Sequence, residues 1–179
     1  MNIAVLEDDR AFAESLERCI RRHTHFPTIA NTASAGELWE RVRSAAGPVL
    51  IFVDIVLEGK TQGFDLARKI TEQSSDNLIV FLTAYPQKIV GNATFKTKAF
   101  SVILKSNPAL EDEIRITIDL AEQAMKQACL FLHVDKFQTL YIPYDSICYI
   151  EAIKGTGKVC IHALDGQYVI QATLADLLE

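Results

Sequence analysis

No run of about 18 or more apolar residues occurs among the 179 residues, so no bilayer-spanning helix is expected. The opening Met1-Asn2-Ile3-Ala4-Val5 carries neither the basic region nor the small-residue cleavage site of a secretory signal. Cysteine is sparse: Cys19, Cys129, Cys148 and Cys160 are widely spaced and form no C-x-x-C pair. That spacing argues against a disulfide framework or a zinc site, and for a reducing cytoplasm. Basic residues are scarce toward the end. Residues 129–179 hold 3 basic and 6 acidic side chains, residues 1–128 hold 15 and 17, and the net charge is −5. Neither part has the basic footprint of a complete nucleic-acid binder. What is present is ordinary globular material, with 49% hydrophobic and 23% charged residues.

The first 128 residues alternate between short apolar runs and helical patterns. Ile3–Leu6 reads as a buried strand that ends in Glu7, Asp8 and Asp9. Phe12, Leu16, Cys19 and Ile20 then recur at helical spacing. A weak strand follows at Thr28–Asn31, and Ser34 with Glu37 marks a capping box before a helix bearing Leu38 and Val42. Pro48–Val53 is an apolar strand closed by Asp54, and Gly63–Gln73 is a helix. Leu78–Leu82 is a strand closed by Thr83, Pro86–Lys98 is weakly helical, and Phe100–Leu104 is a strand closed by Lys105. Pro108–Ala128 is a long helix. Strands that read as unbroken apolar runs, separated by helices, predict an α/β fold with a five-stranded, parallel, doubly wound sheet. After Ala128 the pattern changes to short, closely spaced strands at 130–134, 139–142, 147–152, 159–163 and 168–171. Asp165-Gly166 is a hairpin signal, and Thr173 could cap a last short helix. The expected organisation is a domain over 1–125, a connector at 126–135 and a β-rich segment over 136–179.

Ligands of a doubly wound sheet lie at the carboxyl ends of its strands. There the sequence places Glu7 and Asp8, Asp54, Thr83 and Lys105: three carboxylates, a hydroxyl and an amine from four strands. Each alone is ordinary. An acidic pair is commonly a solvated loop, and an Asp ending a strand is commonly a turn or cap residue. Their joint placement is what carries information. Crowded carboxylates suit a hard divalent cation such as Mg²⁺, Asp54 is placed as the nucleophile for an aspartyl-phosphate, and Lys105 and Thr83 can neutralise or hydrogen-bond phosphoryl oxygens.

The stretches Ala4-Val5-Leu6-Glu7-Asp8-Asp9, Phe52-Val53-Asp54, Phe81-Leu82-Thr83-Ala84 and Ile103-Leu104-Lys105 resemble the motif blocks of the CheY-like receiver domain of two-component response regulators. The resemblance implies that Asp54 is phosphorylated from a phosphohistidine on a sensor histidine kinase. It implies that Asp8, Asp54 and the Val56 backbone carbonyl ligate Mg²⁺, with Glu7 acting through water, and that phosphorylation drives homodimerisation. It also implies that Thr83 is the switch hydroxyl and Lys105 the phosphate partner. The chain departs from the family pattern in three places. Glu7 stands for the commoner Asp, as in the peptide-pheromone-sensing branch. Val102 stands at the aromatic switch position, and Ser106 follows Lys105 where many receivers carry proline. The 58–62 loop is also one residue longer than the commonest form.

Residues 142–152, Ile142-Pro143-Tyr144-Asp145-Ser146-Ile147-Cys148-Tyr149-Ile150-Glu151-Ala152, with Gly166-Gln167-Tyr168 and the 173–177 stretch, resemble the opening half of a LytTR-type DNA-binding domain. The pair of resemblances implies a transcription regulator of peptide-pheromone quorum sensing. Lys154, Thr156 and Lys158 fall where a first DNA contact is expected, or form a plain solvated hairpin. Three lysines against six acids supply little phosphate neutralisation, so promoter binding by these 179 residues alone should be weak or absent. A haloacid-dehalogenase-type enzyme would need a second Asp two residues after the nucleophile, and position 56 is Val; no enzyme beyond slow autodephosphorylation is expected. The alternative reading is a receiver that acts through protein contacts alone, with the β-rich tail as a dimerisation or interaction module.

Overall fold

The computed structural model describes residues 1–57, 59, 62–74, 76–85, 99–126, 129–133, 139–173 and 177. The chain divides into two compact units, Met1–Met125 and Lys126–Glu179. The helix expected at 86–98, the short helix expected after Thr173 and most of the 58–62 loop lie outside the described residues.

The first unit contains β1 (Asn2–Leu6), α1 (Arg10–His23), β2 (Thr28–Thr32), α2 (Ala35–Arg43), β3 (Val49–Asp54), α3 (Gln62–Gln73), β4 (Leu78–Thr83), β5 (Ser101–Leu104) and α4 (Leu110–Lys126). The strands form one parallel sheet in the order β2-β1-β3-β4-β5. Every residue of β3 and β4 is buried, which is what their uninterrupted apolar runs require: both faces of the sheet are covered. On one face Leu38 and Val42 of α2 and Leu66, Ala67 and Ile70 of α3 pack with Ala4, Leu6, Ile51, Val53, Ile79 and Phe81. Phe64 meets Phe81 edge-on, with ring centroids 4.9 Å apart.

Helix ends follow local chemistry. Asp9 caps α1, its Oδ1 accepting from the Ala11 and Phe12 amides at 2.9 and 3.1 Å, a contact worth about 1 kcal/mol. Arg21 and Arg22 sit in the last turn, where cations suit the carbonyl end of the helix. The capping box expected at α2 is half made. Ser34 Oγ accepts from the Glu37 amide at 3.3 Å, but the Glu37 carboxylate accepts from Thr32 Oγ1 at 2.7 Å, and Thr32 Oγ1 in turn accepts from the Ser34 amide at 3.1 Å. A threonine hydroxyl is thus interposed in the reciprocal bond.

The second unit pairs β6 (Cys129–His133) with β7 (Thr139–Pro143). A separate antiparallel meander contains β8 (Ile147–Ile153), β9 (Lys158–Ala163) and β10 (Gly166–Ile170). Leu130, Leu132 and Ile142 share a core with Val159, Ile161 and Ile170. The strand expected at 130–134 is thus found as β6. The β9–β10 hairpin turns one residue earlier than Asp165-Gly166 suggests. Ala163 pairs with Gly166, so the two loop residues are Leu164 and Asp165. The Tyr168 hydroxyl donates to Asp165 Oδ2 at 2.7 Å and holds that turn from the strand side.

One glycine fixes how α3 meets the sheet. A Cβ on Gly63 would stand 2.2 Å from the Asp54 carbonyl oxygen and 3.0 Å from Ile55 Cα. Both neighbours are backbone and cannot rotate aside, so the first turn of α3 sits against the end of β3 only because position 63 has no side chain. Gly63→Ala should lower stability by about 2–3 kcal/mol, with α3 and the end of β3 displaced together, measured by urea unfolding followed by circular dichroism.

Candidate functional site

Parallel pairing in register determines which side chains meet. Leu6 pairs with Val53, so the next residues, Glu7 and Asp54, leave adjacent strands side by side. Thr83 pairs with Leu104 and its carbonyl accepts from the Lys105 amide at 2.9 Å, which brings Lys105 to the same rim. Among the described residues four polar or charged side chains are buried, Glu7, Asp54, Thr83 and Thr117, and three of them are here. Buried polar groups concentrated at one end of a sheet mark a site, because elsewhere in this core they would cost stability.

Lys105 Nζ lies 2.6 Å from Asp54 Oδ2 and 2.6 Å from Glu7 Oε2. Asp54 Oδ1 accepts from the Val56 amide at 2.9 Å, and Glu7 Oε1 accepts from the Asp9 amide at 3.1 Å. Lys105 Nζ also stands 4.6 Å from the centroid of the Phe12 ring, a cation–π contact that supports it from α1. Burial alone would lower the Lys105 ammonium, but its hydrogen bonds and charge contacts to Asp54 and Glu7 outweigh that and raise it, so it stays charged. Burial pushes the Glu7 carboxyl up. Its bond and charge contact with Lys105 oppose the shift, the Asp54 charge adds to it, and the net direction is upward. Thr83 Oγ1 accepts from the Tyr85 amide at 2.9 Å, which leaves its proton to donate.

Oxygen atoms of Glu7, Asp8 and Asp54 all lie within 4.8 Å of one another. Glu7 Oε2 is buried against the Lys105 ammonium. An all-oxygen donor set of this kind fits a hard cation of the Mg²⁺ type. Every residue expected at the strand ends is thus brought to one rim. Two contributors were not assigned to the site from sequence: Gly63, whose only signal is a glycine opening a helix after a strand-end acid, and Phe12, assigned to the core by its spacing. Phe12 is half-buried, and Ala13 takes the core position beside it. Val102, at the expected switch-aromatic position, is buried in the α2–α3 side of the core.

In the second unit Lys154, Thr156 and Lys158 lie at the β8–β9 turn, exposed. The turn contains Gly155 and Gly157 at φ +78° and +64°. The Thr156 hydroxyl donates to the Ile153 carbonyl at 2.8 Å and accepts from the Lys158 amide at 3.2 Å, so it closes its own turn.

A parallel five-stranded sheet whose rim carries this acid–acid–lysine arrangement defines a receiver, and residues 3–118 match the response regulator receiver domain family, to which this chain belongs. The sensory transduction protein LytT of Enterococcus faecalis is 32% identical over 128 residues, covering 72% of this chain and 50% of that protein. The chain therefore spans about half the length of that relative. Accessory gene regulator protein A of Staphylococcus epidermidis is 22% identical over 191 residues, covering 100% of this chain and 80% of that protein. Among solved structures, the response regulatory domain of mrkE from Klebsiella pneumoniae superposes with a TM-score of 0.59 at 21% identity, covering 70% of this chain and 98% of that one. The response regulator TrrA from Thermotoga maritima, solved in complex with Mg²⁺-BeF, gives 0.56 at 22% identity, covering 68% and 99%. These establish the receiver fold. No described helix is long and apolar enough to cross a membrane.

The raised Glu7 carboxyl has a sign that can be checked. A group whose acid is favoured by folding subtracts stability once it ionises, and the loss is relieved as pH falls through its raised folded value. In chelator at neutral pH, Glu7→Gln should therefore melt above wild type, with the gap closing as the pH drops toward the carboxylate range, while Mg²⁺ binding weakens. Differential scanning calorimetry across pH, paired with Mg²⁺ titration, measures both.

Proposed function

We propose that this chain is a phosphorylation-controlled response regulator in which Asp54 accepts a phosphoryl group from a phosphohistidine on a sensor histidine kinase. The observation that carries the reading is the Asp54 carboxylate, held by the Val56 amide and the Lys105 ammonium beside Glu7 and Asp8. In the transfer an Asp54 oxygen forms the new P–O bond as the donor P–N bond breaks, and the electron pair leaves with the histidine nitrogen. Lys105, already paired to Asp54, follows the charge onto the phosphoryl oxygens, and the Thr83 hydroxyl donates to one of them. Glu7, Asp8, Asp54 and the Val56 carbonyl are the groups that would hold Mg²⁺, which when bound neutralises phosphoryl charge. The role of this chain's residues is positioning and charge compensation, with little covalent work. Val56 offers no polar side chain to orient an attacking water, which supports a long-lived phosphoryl state.

The β-rich unit is read as part of a LytTR-type DNA-binding domain, so that phosphorylation leads to homodimerisation and promoter binding in peptide-pheromone quorum sensing in the cytoplasm. The full-length similarity to accessory gene regulator protein A supports this, since it runs through both units. One observation favours the alternative of a protein-contact module: Thr156, one of three expected DNA contacts, spends its hydroxyl on its own turn.

Incubation with Mg²⁺ and acetyl phosphate should add the mass of one phosphoryl group, read by intact mass spectrometry. The gain should vanish in Asp54→Asn and with chelator; a gain that persists in Asp54→Asn refutes the assignment. A gel shift on direct-repeat promoter DNA separates the two outputs, with weak or no binding expected from these 179 residues.

A further inference from the structure

We propose that Glu151, Cys160 and His162 form a binding site for a zinc-type divalent transition metal on the outer face of the β8–β9–β10 meander. This site is separate from the phosphoacceptor rim, and no step of the phosphoryl transfer uses it.

The chain builds it in three moves. Cys160 and His162 are two apart on β9 and therefore share a face. That face is the one turned from the core, since Val159 and Ile161 lie in the core cluster and Cys160 and His162 do not. On β8, Ile147 pairs with Ala163 while Tyr149 pairs with His162, which makes Cys148 an extra residue. The bulge flips the alternation of β8, so that Ile147 and Ile150 both face the core while Tyr149 and Glu151 turn outward. Glu151 then pairs directly with Cys160. Without the bulge, Glu151 would point into the core.

The geometry that results is a ligand set. One donor atom each from Glu151, Cys160 and His162 lies within 4.8 Å of the others. His162 Nε2 is 2.9 Å from Glu151 Oε1, and the imidazole stacks on Tyr149 at 4.1 Å between centroids and 13° between planes. The stacking and the Glu151 contact thus orient the ring before any ion arrives. Zinc bonds of about 2.0–2.2 Å to nitrogen and oxygen at a tetrahedral angle separate those atoms by about 3.4 Å, so seating an ion parts the pair by only a few tenths of an ångström. The Cys160 thiol is buried, the His162 side chain is 15% exposed and that of Glu151 is 57% exposed, which leaves the fourth position on the solvent side.

Thiol, imidazole and carboxylate together suit a borderline ion and not Mg²⁺, and three protein ligands with an open fourth position is a recurrent zinc arrangement. A similar trio, Cys19, His23 and Glu111, occurs in the first unit. There Glu111 already holds the Arg22 guanidinium at 3.1 Å, a permanent cation competing for the same carboxylate. Among the described residues Glu151 pairs with no Arg or Lys.

The test is Co²⁺ titration of the full chain in excess Mg²⁺, which occupies the oxygen site of the receiver unit. One equivalent should produce tetrahedral visible bands and a thiolate-to-cobalt charge-transfer band, both removed by added Zn²⁺. Cys160→Ser and His162→Ala should abolish the charge-transfer band, Glu151→Gln should weaken Co²⁺ affinity, and Cys19→Ser should leave all of it intact. If Cys160→Ser fails to fold, His162→Ala, a change on the solvent side, decides the matter. Absence of the band in wild type, its survival in His162→Ala, or its loss in Cys19→Ser overturns the proposal.

Discussion

The side-by-side exit of Glu7 and Asp54 from adjacent parallel strands is the constraint around which the receiver unit is arranged. Pairing β1 with β3 in register leaves two carboxylates next to each other at a buried rim, where they repel and lose hydration. The Lys105 ammonium, 2.6 Å from an oxygen of each, compensates that charge. Its placement depends in turn on the β4–β5 pairing and on the Phe12 ring beneath it. The amides of Val56 and Asp9 take up the remaining oxygens. Burial, with a smaller push from the Asp54 charge, nonetheless leaves the Glu7 carboxyl raised, and two buried carboxylates side by side suit a hard cation.

Much of this could be read from the residues. Strands buried on both faces appear as unbroken apolar runs, and the functional groups are the first polar residues after those runs. Fold and rim were therefore legible together, since one burial pattern encodes both. The half-formed capping box was not legible, because Thr32 enters from outside the S-x-x-E window. The β9–β10 turn was misplaced by one residue because a glycine after an aspartate signals a turn without fixing which pair closes it. Gly63 and Phe12 were hidden for a common reason. Their roles depend on what a neighbouring element brings within 3 to 5 Å, which no spacing within one element reports.

The second unit shows the same limit more sharply. The cysteine spacing argued against a local zinc motif, and the proposed site is not a local one. The trio of Glu151, Cys160 and His162 exists only through cross-strand pairing and one bulged residue, so its signature is distributed over two strands and a register shift. The exposed turn with Lys154, Thr156 and Lys158 was legible as a break between strands, while the commitment of the Thr156 hydroxyl to that turn follows from geometry alone.

The order of strands in the sheet also has a kinetic consequence. β1 emerges first in synthesis, yet both of its neighbours, β2 and β3, come later, and the lysine that compensates its acid lies about a hundred positions downstream. Parallel pairings of this kind close long loops before they are rewarded, so they form late and cooperatively. No segment that ends before β5 contains Glu7, Asp54 and Lys105 together. The rim is therefore assembled only once β1, β3, β4 and β5 are paired, and a half-made unit emerging from the ribosome does not yet hold the Glu7–Lys105–Asp54 contacts.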